Sequence, residues 1–344
     1  MKWHGSQVLG RRRQPVRDLT IMARDRPRRR PTPSNRMGTP PWGELLGTLP
    51  PVQWACAYGS AAVRQADYDA AHSMLDLLVV VGDAVDWHRR NRLRNPAHYS
   101  APAWLDGWLQ ERGAALYYLP NVTLPTGTRH YKYGVVGRRA FLADLLEWRT
   151  LYVAGRLHKP ILSQGDDDGA LRLAQENNLR QAASVASLLS PPRSSIDQFL
   201  ATIVGLSYLG DFRMSVAEDP RKIARIVQGQ GEQLWSMYRG RLGEGTRLVG
   251  DRLEFDDSPL SVLDRLSSLP LTLRHEFRRR GCLFEAAKRY RSEGDPIRHQ
   301  LRHSIVAISR LPALAQAAKG VVTAGPARSW NYALAKLARR LSRH

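Results

Sequence analysis

Tyr58-Gly59-Ser60, Asp76, Lys132 and Asp211 are the residues whose types and spacing could do chemistry. A Gly-Ser turn ahead of a predicted helix over 61–66 offers backbone N–H groups and a hydroxyl to a phosphate, helped by the helix N-terminus. Asp76 interrupts the apolar, β-branched run Leu75 to Val81, which reads as a buried strand. A phosphate cradle beside a strand-borne carboxylate is the minimum equipment for metal-assisted nucleotidyl transfer. Such sites ordinarily carry two carboxylates two residues apart, and Met74 stands where the first would be. Asp211, in Gly210-Asp211-Phe212-Arg213-Met214, could supply the missing one; the same residues also read as a helix cap with a structural arginine. Lys132 alternates with Tyr131 and Tyr133, so an inward lysine would act as a point charge on a triphosphate, and one on an edge strand would be solvated.

The elements that must position these residues follow from period and punctuation. A helix is expected after Gly82-Asp83, an amphipathic helix over 104–112, and two strands at 115–118 and 129–136 joined around Pro125-Thr126-Gly127. His88 and His98 read either as surface-loop hydrogen-bonding residues or as a phosphate-facing loop. A helix over 141–148 and the stretch Tyr152 to Leu157 close a first domain near Pro160, and Gln164 to Gly169 reads as a linker whose three aspartates form a solvated turn. Helices are expected over 171–189, 196–208, 221–238 and 262–277, with a small hairpin near 248–255. Lys319 to Gly325 reads as a loop. Ser329 to Arg343 is an amphipathic helix, with Trp330, Leu334, Leu337 and Leu341 on one stripe and Lys336, Arg339, Arg340 and Arg343 opposite. Helices of this kind lie on anionic membranes or dock on their own core.

Composition bounds the class. The 344 residues are 43% hydrophobic and 24% charged, enough for two domains with a real core. Cys56 and Cys282 are too few for a disulfide framework or a zinc cluster, so a reduced compartment is expected. The sequence shows no uninterrupted apolar run of the length needed to cross a bilayer. The net charge of +21 sits at the ends: residues 1–41 carry eleven Lys+Arg against two Asp, and residues 271–344 carry sixteen against four Asp+Glu. Basic ends around a neutral middle fit nucleic acid or acidic lipid, or simple solvation. Residues 1–41 read as a disordered basic leader, resembling a transit peptide in composition although Pro31, Pro33 and Pro40 break any long helix.

The Gly-Ser turn with its Asp-bearing strand resembles the polymerase-β-type nucleotidyltransferase signature. The chain as a whole resembles the mitochondrial-type CDP-diacylglycerol synthase, or phosphatidate cytidylyltransferase, family. The matching pieces are Tyr58-Gly59-Ser60, Met74-Leu75-Asp76, Trp87-His88 with Asn95 and His98-Tyr99-Ser100, Lys132 to Val135, Tyr152 to Leu157 with Lys159-Pro160, Gly205 to Tyr208 with Gly210 to Met214, and Lys319-Gly320 with Thr323 to Gly325. The resemblance implies an α+β chain divided as leader (1–41), nucleotidyltransferase domain (42–160), helical winged-helix-like domain (161–270) and basic membrane-facing helical region (271–344). It implies CTP and phosphatidic acid as substrates, Mg²⁺ on Asp76 and Asp211, and Gly59 and Ser60 on the CTP phosphates. Lys132 would offset triphosphate charge, with Tyr58, His98, Tyr99 and Arg213 as nucleotide contacts. Lys319, Trp330, Lys336, Arg339 and Arg340 would face lipid. Implied too are phospholipid and cardiolipin synthesis and a peripheral place on the matrix side of the mitochondrial inner membrane, or the cytoplasmic face of a bacterial membrane. Nucleic acid is not an expected partner, and homo-oligomerisation stays open. An RNA-directed nucleotidyltransferase and a non-catalytic membrane assembly factor are the competing readings.

Overall fold

The strand that carries Asp76 lies at the centre of a five-stranded mixed sheet, in a computed structural model that describes residues 42–59, 74–125, 127, 130–165, 169–211, 221–290 and 294–324. The strands are β1 (Trp54–Tyr58), β2 (Leu75–Val81), β3 (Leu116–Thr123), β4 (His130–Gly137) and β5 (Leu162–Gly165), ordered β3-β4-β2-β1-β5. Only β2 and β4 pair parallel; the other neighbours are antiparallel. A parallel pair needs a crossover. It runs through α2 (Ala84–Arg94), two short 3-10 turns, α3 (Asp106–Glu111) and β3. Every residue of β2 except Asp76 is buried, as a central strand covered on both faces requires.

Strand alternation sorts the side chains onto two faces. Leu75, Leu77, Tyr131 and Tyr133 point toward α2 and α3, where the Trp87 and Tyr133 rings meet edge to face. Asp76, Leu78, Lys132 and Gly134 point the other way, with Cys56, Tyr58 and Tyr118 across the ladder. That second face continues into one hydrophobic cluster with α4 (Arg138–Glu147), α5 (Ala170–Leu189), α6 (Ile196–Leu206) and α7 (Lys222–Tyr238). A three-stranded sheet follows in the order β6 (Arg193–Ser195), β8 (Arg252–Phe255), β7 (Thr246–Val249), with α8 (Pro259–Ser267), α9 (Leu271–Arg278) and α10 (Leu283–Tyr290) behind it in sequence. Helix ends are chemically marked. Asp83 caps α2 by accepting the Asp86 N–H at 2.8 Å, and Ser195 with Gln198 forms a capping box on α6.

The last described helix, α11 (Gly294–Ala324), packs its first half on the core through Ile297, Leu301 and Ile305. Its second half lies along edge strand β3, where Gln316 Nε2 donates to the Leu116 carbonyl at 3.1 Å. By length and composition its segment Ile297–Thr323 could cross a membrane. Gln316, Lys319 and Thr323 are nevertheless buried at three- and four-residue spacing, so one stripe of it is committed to protein.

Several sequence expectations change here. Lys319 is not in a loop: the helix runs through Gly320 to Ala324, since an isolated glycine is tolerated inside a helix. Nor does Lys319 face lipid. It is buried, and its ammonium donates to the carbonyls of Leu109 (2.6 Å), Arg112 (2.9 Å) and Leu116 (2.8 Å). Gln164 and Gly165 belong to β5 rather than to a linker. The expected helix over 262–277 is two, α8 and α9, because Pro270 interrupts it. His88 is a fully buried helix residue, not a loop one. The leader 1–41, the 61–66 helix, the 166–168 aspartates, Ser60, Arg213, and the 329–343 helix with Trp330, Lys336, Arg339 and Arg340 lie outside the described residues.

Candidate functional site

Register places the first functional pair. Asp76 lies opposite Lys132 in the parallel β2/β4 ladder and opposite Tyr58 in the antiparallel β1/β2 ladder. Lys132 Nζ stands 3.6 Å from Asp76 Oδ1, both side chains about one-third exposed at 35% and 37%. Each charge therefore keeps access to solvent or ligand. The Lys132 ammonium also sits 4.6 Å from the centre of the Tyr118 ring. Gly59 ends β1 in the left-handed region at φ +81°, and a Cβ there would lie 3.8 Å from Asp76 Oδ2. The glycine turn and the carboxylate thus adjoin, as a phosphate cradle beside a metal ligand would.

Behind this pair stands a tier of tyrosines and cations. The Tyr58 and Tyr118 hydroxyls are 3.0 Å apart. Burial, reinforced by Tyr118 and Asp76, pushes the Tyr58 hydroxyl well above its ordinary value, so it remains a neutral donor. The Arg156 guanidinium stacks 3.8 Å from the Tyr152 ring centre and lies 5.8 Å from that of Tyr58. Three residues on, Lys159 Nζ donates to the Gly155 carbonyl at 2.9 Å and to Ser207 Oγ at 3.0 Å. Burial first, then the charges of Arg156 and Lys222, pull the Lys159 ammonium down to about 7. Lys159 and Lys222 approach the Tyr208 ring at 5.2 and 5.3 Å.

The loop that carries Tyr152, Arg156 and Lys159 is held by one carboxylate. Asp144, buried on α4, accepts from Thr150 N (2.7 Å), Thr150 Oγ1 (2.9 Å) and Leu151 N (3.0 Å) at Oδ1, and from Val153 N (2.9 Å) and Ala154 N (3.0 Å) at Oδ2. Gly155 lets this loop meet the end of α6, since a Cβ there would fall 2.7 Å from that of Ser207. Sequence reasoning gave Asp144, Arg156 and Lys159 no role. Gly155-Arg156 and Lys159 were visible only as pieces of the family resemblance.

His98 and Tyr99 lie on the other face of the sheet. Asn91 Nδ2 donates to the Tyr99 hydroxyl (3.0 Å) and the Tyr133 hydroxyl (2.9 Å), and His98 Nδ1 is 2.8 Å from the Tyr133 hydroxyl. Gln110 gives both amide hydrogens to carbonyls, of Ala115 (2.7 Å) and Val135 (3.3 Å), so its oxygen accepts from His88 Nε2 at 3.0 Å. His88 Nδ1 is then the acceptor for the Tyr99 hydroxyl at 2.9 Å. Burial pulls His88 down to about 4, which keeps the ring neutral in this network. The sheet thus separates His98 and Tyr99 from Asp76 and Lys132.

Asp211 follows α6, and its N–H donates at 3.1 Å to the carbonyl of Tyr208, the residue whose ring Lys159 and Lys222 approach. Among the described residues no group of three His, Cys, Asp or Glu side chains is arranged to hold a metal ion. A single accessible carboxylate suits Mg²⁺ all the same, because that ion takes one or two carboxylates plus substrate phosphate oxygens. Asp76 meets that requirement.

A family model described as "Phosphatidate cytidylyltransferase, mitochondrial" matches residues 42–339. Curated relatives bear the same name. One from Caenorhabditis briggsae is 36% identical over 318 residues, covering 87% of this chain and 98% of the relative. One from Xenopus laevis is 35% identical, covering 84% and 91%, and one from Homo sapiens is 34% identical, covering 79% and 64%.

Proposed function

The chain belongs to the mitochondrial phosphatidate cytidylyltransferase family, and from that premise we propose that it transfers CMP from CTP to phosphatidate, forming CDP-diacylglycerol and pyrophosphate. The observation that carries this reading is the Asp76–Lys132 pair, 3.6 Å apart and open to ligand, beside the left-handed Gly59 turn. An oxygen of the phosphatidate phosphate attacks the α-phosphorus of CTP; the new O–P bond forms as the bond to the β-phosphate oxygen breaks, and pyrophosphate leaves. Little covalent work falls to the protein, so positioning and charge lower the barrier.

Gly59, with Ser60, cradles the β- and γ-phosphates, and Tyr58 donates its neutral hydroxyl toward the same space. Lys132 offsets charge that grows on the departing pyrophosphate. Asp76 and Asp211 are the residues that would hold Mg²⁺, which when bound neutralises the triphosphate and favours the leaving group. His98, Tyr99 and Arg213 belong to the nucleotide side of this reading. For His98 and Tyr99, bound within the network across the sheet, that means shaping the strands rather than touching phosphate. Strands β1–β4 then act as a polymerase-β-type nucleotidyltransferase core (42–160), to which β5 of the following segment adds by pairing with β1, and the β6–β8 sheet with α6–α8 as a winged-helix-like domain (161–270).

The acceptor lives in a bilayer, so the protein works at a membrane surface, which we place on the matrix side of the mitochondrial inner membrane in the route to cardiolipin. Exposed apolar side chains support a lipid-facing side: Trp104 and Trp108 around α3, and Leu311, Val321 and Val322 on α11. The same lipid-facing role is assigned to Trp330, Lys336, Arg339 and Arg340 from their pattern in the sequence. To test the reaction, purified protein is given CTP labelled at the α-phosphate together with phosphatidate liposomes. Label passing into the organic phase is the expected result. Label entering added RNA instead would overturn the reading.

A further inference from the structure

Arg156 and Lys159 are half-buried cations held by neutral partners. Arg156 bonds the Tyr152 carbonyl and stacks on that ring; Lys159 bonds a carbonyl and a serine hydroxyl. Neither forms an ion pair among the described residues, although such pairs occur elsewhere, as Arg241 with Glu176 at 2.6 Å illustrates. Packing like charges together out of water is costly unless an anion completes the set.

The loop is also built to stay in place. Asp144 spends both oxygens on it, and Gly155 lets it close against Ser207. A rigid, planar guanidinium three residues from an ammonium matches the several oxygens of a phosphate better than it matches a single carboxylate. The cluster is continuous with the reacting end of the site: Arg156 lies over Tyr58, and Tyr58 is the ladder partner of Asp76. It is distinct in sequence from the Lys132–Gly59 cradle, to which the reading above assigns the nucleotide phosphates.

We propose that Arg156 and Lys159 form a second phosphate subsite, which binds a phosphate monoester dianion and, on the transferase reading above, the phosphate of the lipid acceptor. The subsite holds that phosphate next to Asp76 while the cradle holds the nucleotide, so the acceptor oxygen is aimed rather than delivered by diffusion. Tyr58 and Tyr118 wall the space between the two phosphates with neutral hydroxyls. Lys159, easily deprotonated when empty, takes a firm proton once a dianion sits beside it.

The test uses three probes on the full chain: inorganic phosphate, CTP, and dioctanoyl phosphatidate. Binding is read by calorimetry and by the rise in Tm with phosphate. Lys159→Gln keeps a donor for Gly155 and removes the charge; Arg156→Gln removes the fork; Lys159→Arg restores charge. The expected result is that each Gln variant binds dioctanoyl phosphatidate about ten- to a hundredfold more weakly. Each also loses the phosphate-induced rise in Tm and keeps CTP affinity within about twofold, and Lys159→Arg retains part of the binding that Lys159→Gln loses. A purely structural lysine would instead lower the ligand-free Tm of Lys159→Gln, whereas removal of an unoffset buried charge holds or raises it. Unchanged phosphate and phosphatidate binding in both folded Gln variants overturns the subsite. Loss of CTP affinity with phosphatidate affinity intact overturns its assignment to the acceptor. Wild type that shows the Lys159-dependent phosphate effect but makes no CDP-diacylglycerol would sink the transferase reading and leave the subsite standing.

Discussion

Asp144→Asn should unfasten the loop behind the site, and the cost follows from its hydrogen bonds. The carboxylate accepts from three donors at Oδ1 and two at Oδ2. An asparagine can turn its one oxygen to the first three; its amide hydrogens then face the Val153 and Ala154 N–H groups. Each of these buried donors loses its acceptor, at about 1–3 kcal/mol apiece. Leu151, one of these donors, is held in the left-handed region at φ +55°, so no relaxed loop geometry is at hand to recover the loss. The expected destabilisation is about 4 kcal/mol, large for one isosteric change. Urea unfolding followed by tryptophan fluorescence should show a lower midpoint with the slope preserved. In protein folded at low urea, phosphatidate turnover should fall because Arg156 and Lys159 ride on that loop. A loss below about 1 kcal/mol with wild-type activity would refute the claim that Asp144 organises it.

Three further outcomes can be checked. Lys132→Gln removes an ion pair that is about one-third exposed on each side, so unfolding free energy should shift by less than about 1 kcal/mol. Initial rates, by contrast, should fall about a hundredfold or more; equal small effects on both would deny Lys132 a role in the reaction. Gly59→Ala places a side chain at φ +81° and should cost about 1–2 kcal/mol by urea titration, together with weaker CTP binding; a neutral substitution would mean the turn is not held there. His88 and His158 are buried and pulled down to about 4 and about 3 from 6.5. Between those values and 6.5 the unfolded chain binds more protons than the folded one, so stability is full above pH 6.5 and is lost on acidification. At pH 5 the loss is about 2 kcal/mol for each ring. Urea midpoints at pH 7 and pH 5 should converge in part in His88→Gln, and an identical pH dependence in that variant would contradict the assignment.

The centre of the site was legible in the sequence because strong local signals coincide there. A β-branched run broken only by Asp76 could be little else than a central strand, and its register against Lys132 and Tyr58 then follows from alternation. The long α5 announced itself by period. What was hidden depends on contacts far apart in the chain. Lys319 lies more than two hundred residues from the carbonyls it bonds, so nothing in its neighbourhood tells a buried clamp from a lipid-facing cation. His88 sits in a polar-looking helix whose burial arises only when Tyr99, Tyr117 and Gln110 close over it. Strand β5 is short, fully exposed and free of alternation, and it exists because β1 offers an edge to pair with. Asp144 looked like one more helix carboxylate. Its importance lies in the loop that folds back onto it.

The central claim is that Asp76 and its neighbours join CTP to phosphatidate, and pyrophosphate release tests it most directly. Purified wild type and Asp76→Asn are incubated with CTP, Mg²⁺ and phosphatidate liposomes, omitting each component in turn. The account predicts release by wild type that requires CTP and phosphatidate together, and a loss of at least a hundredfold in Asp76→Asn with its unfolding midpoint little changed. Release that proceeds without phosphatidate, or that survives in folded Asp76→Asn, would contradict it.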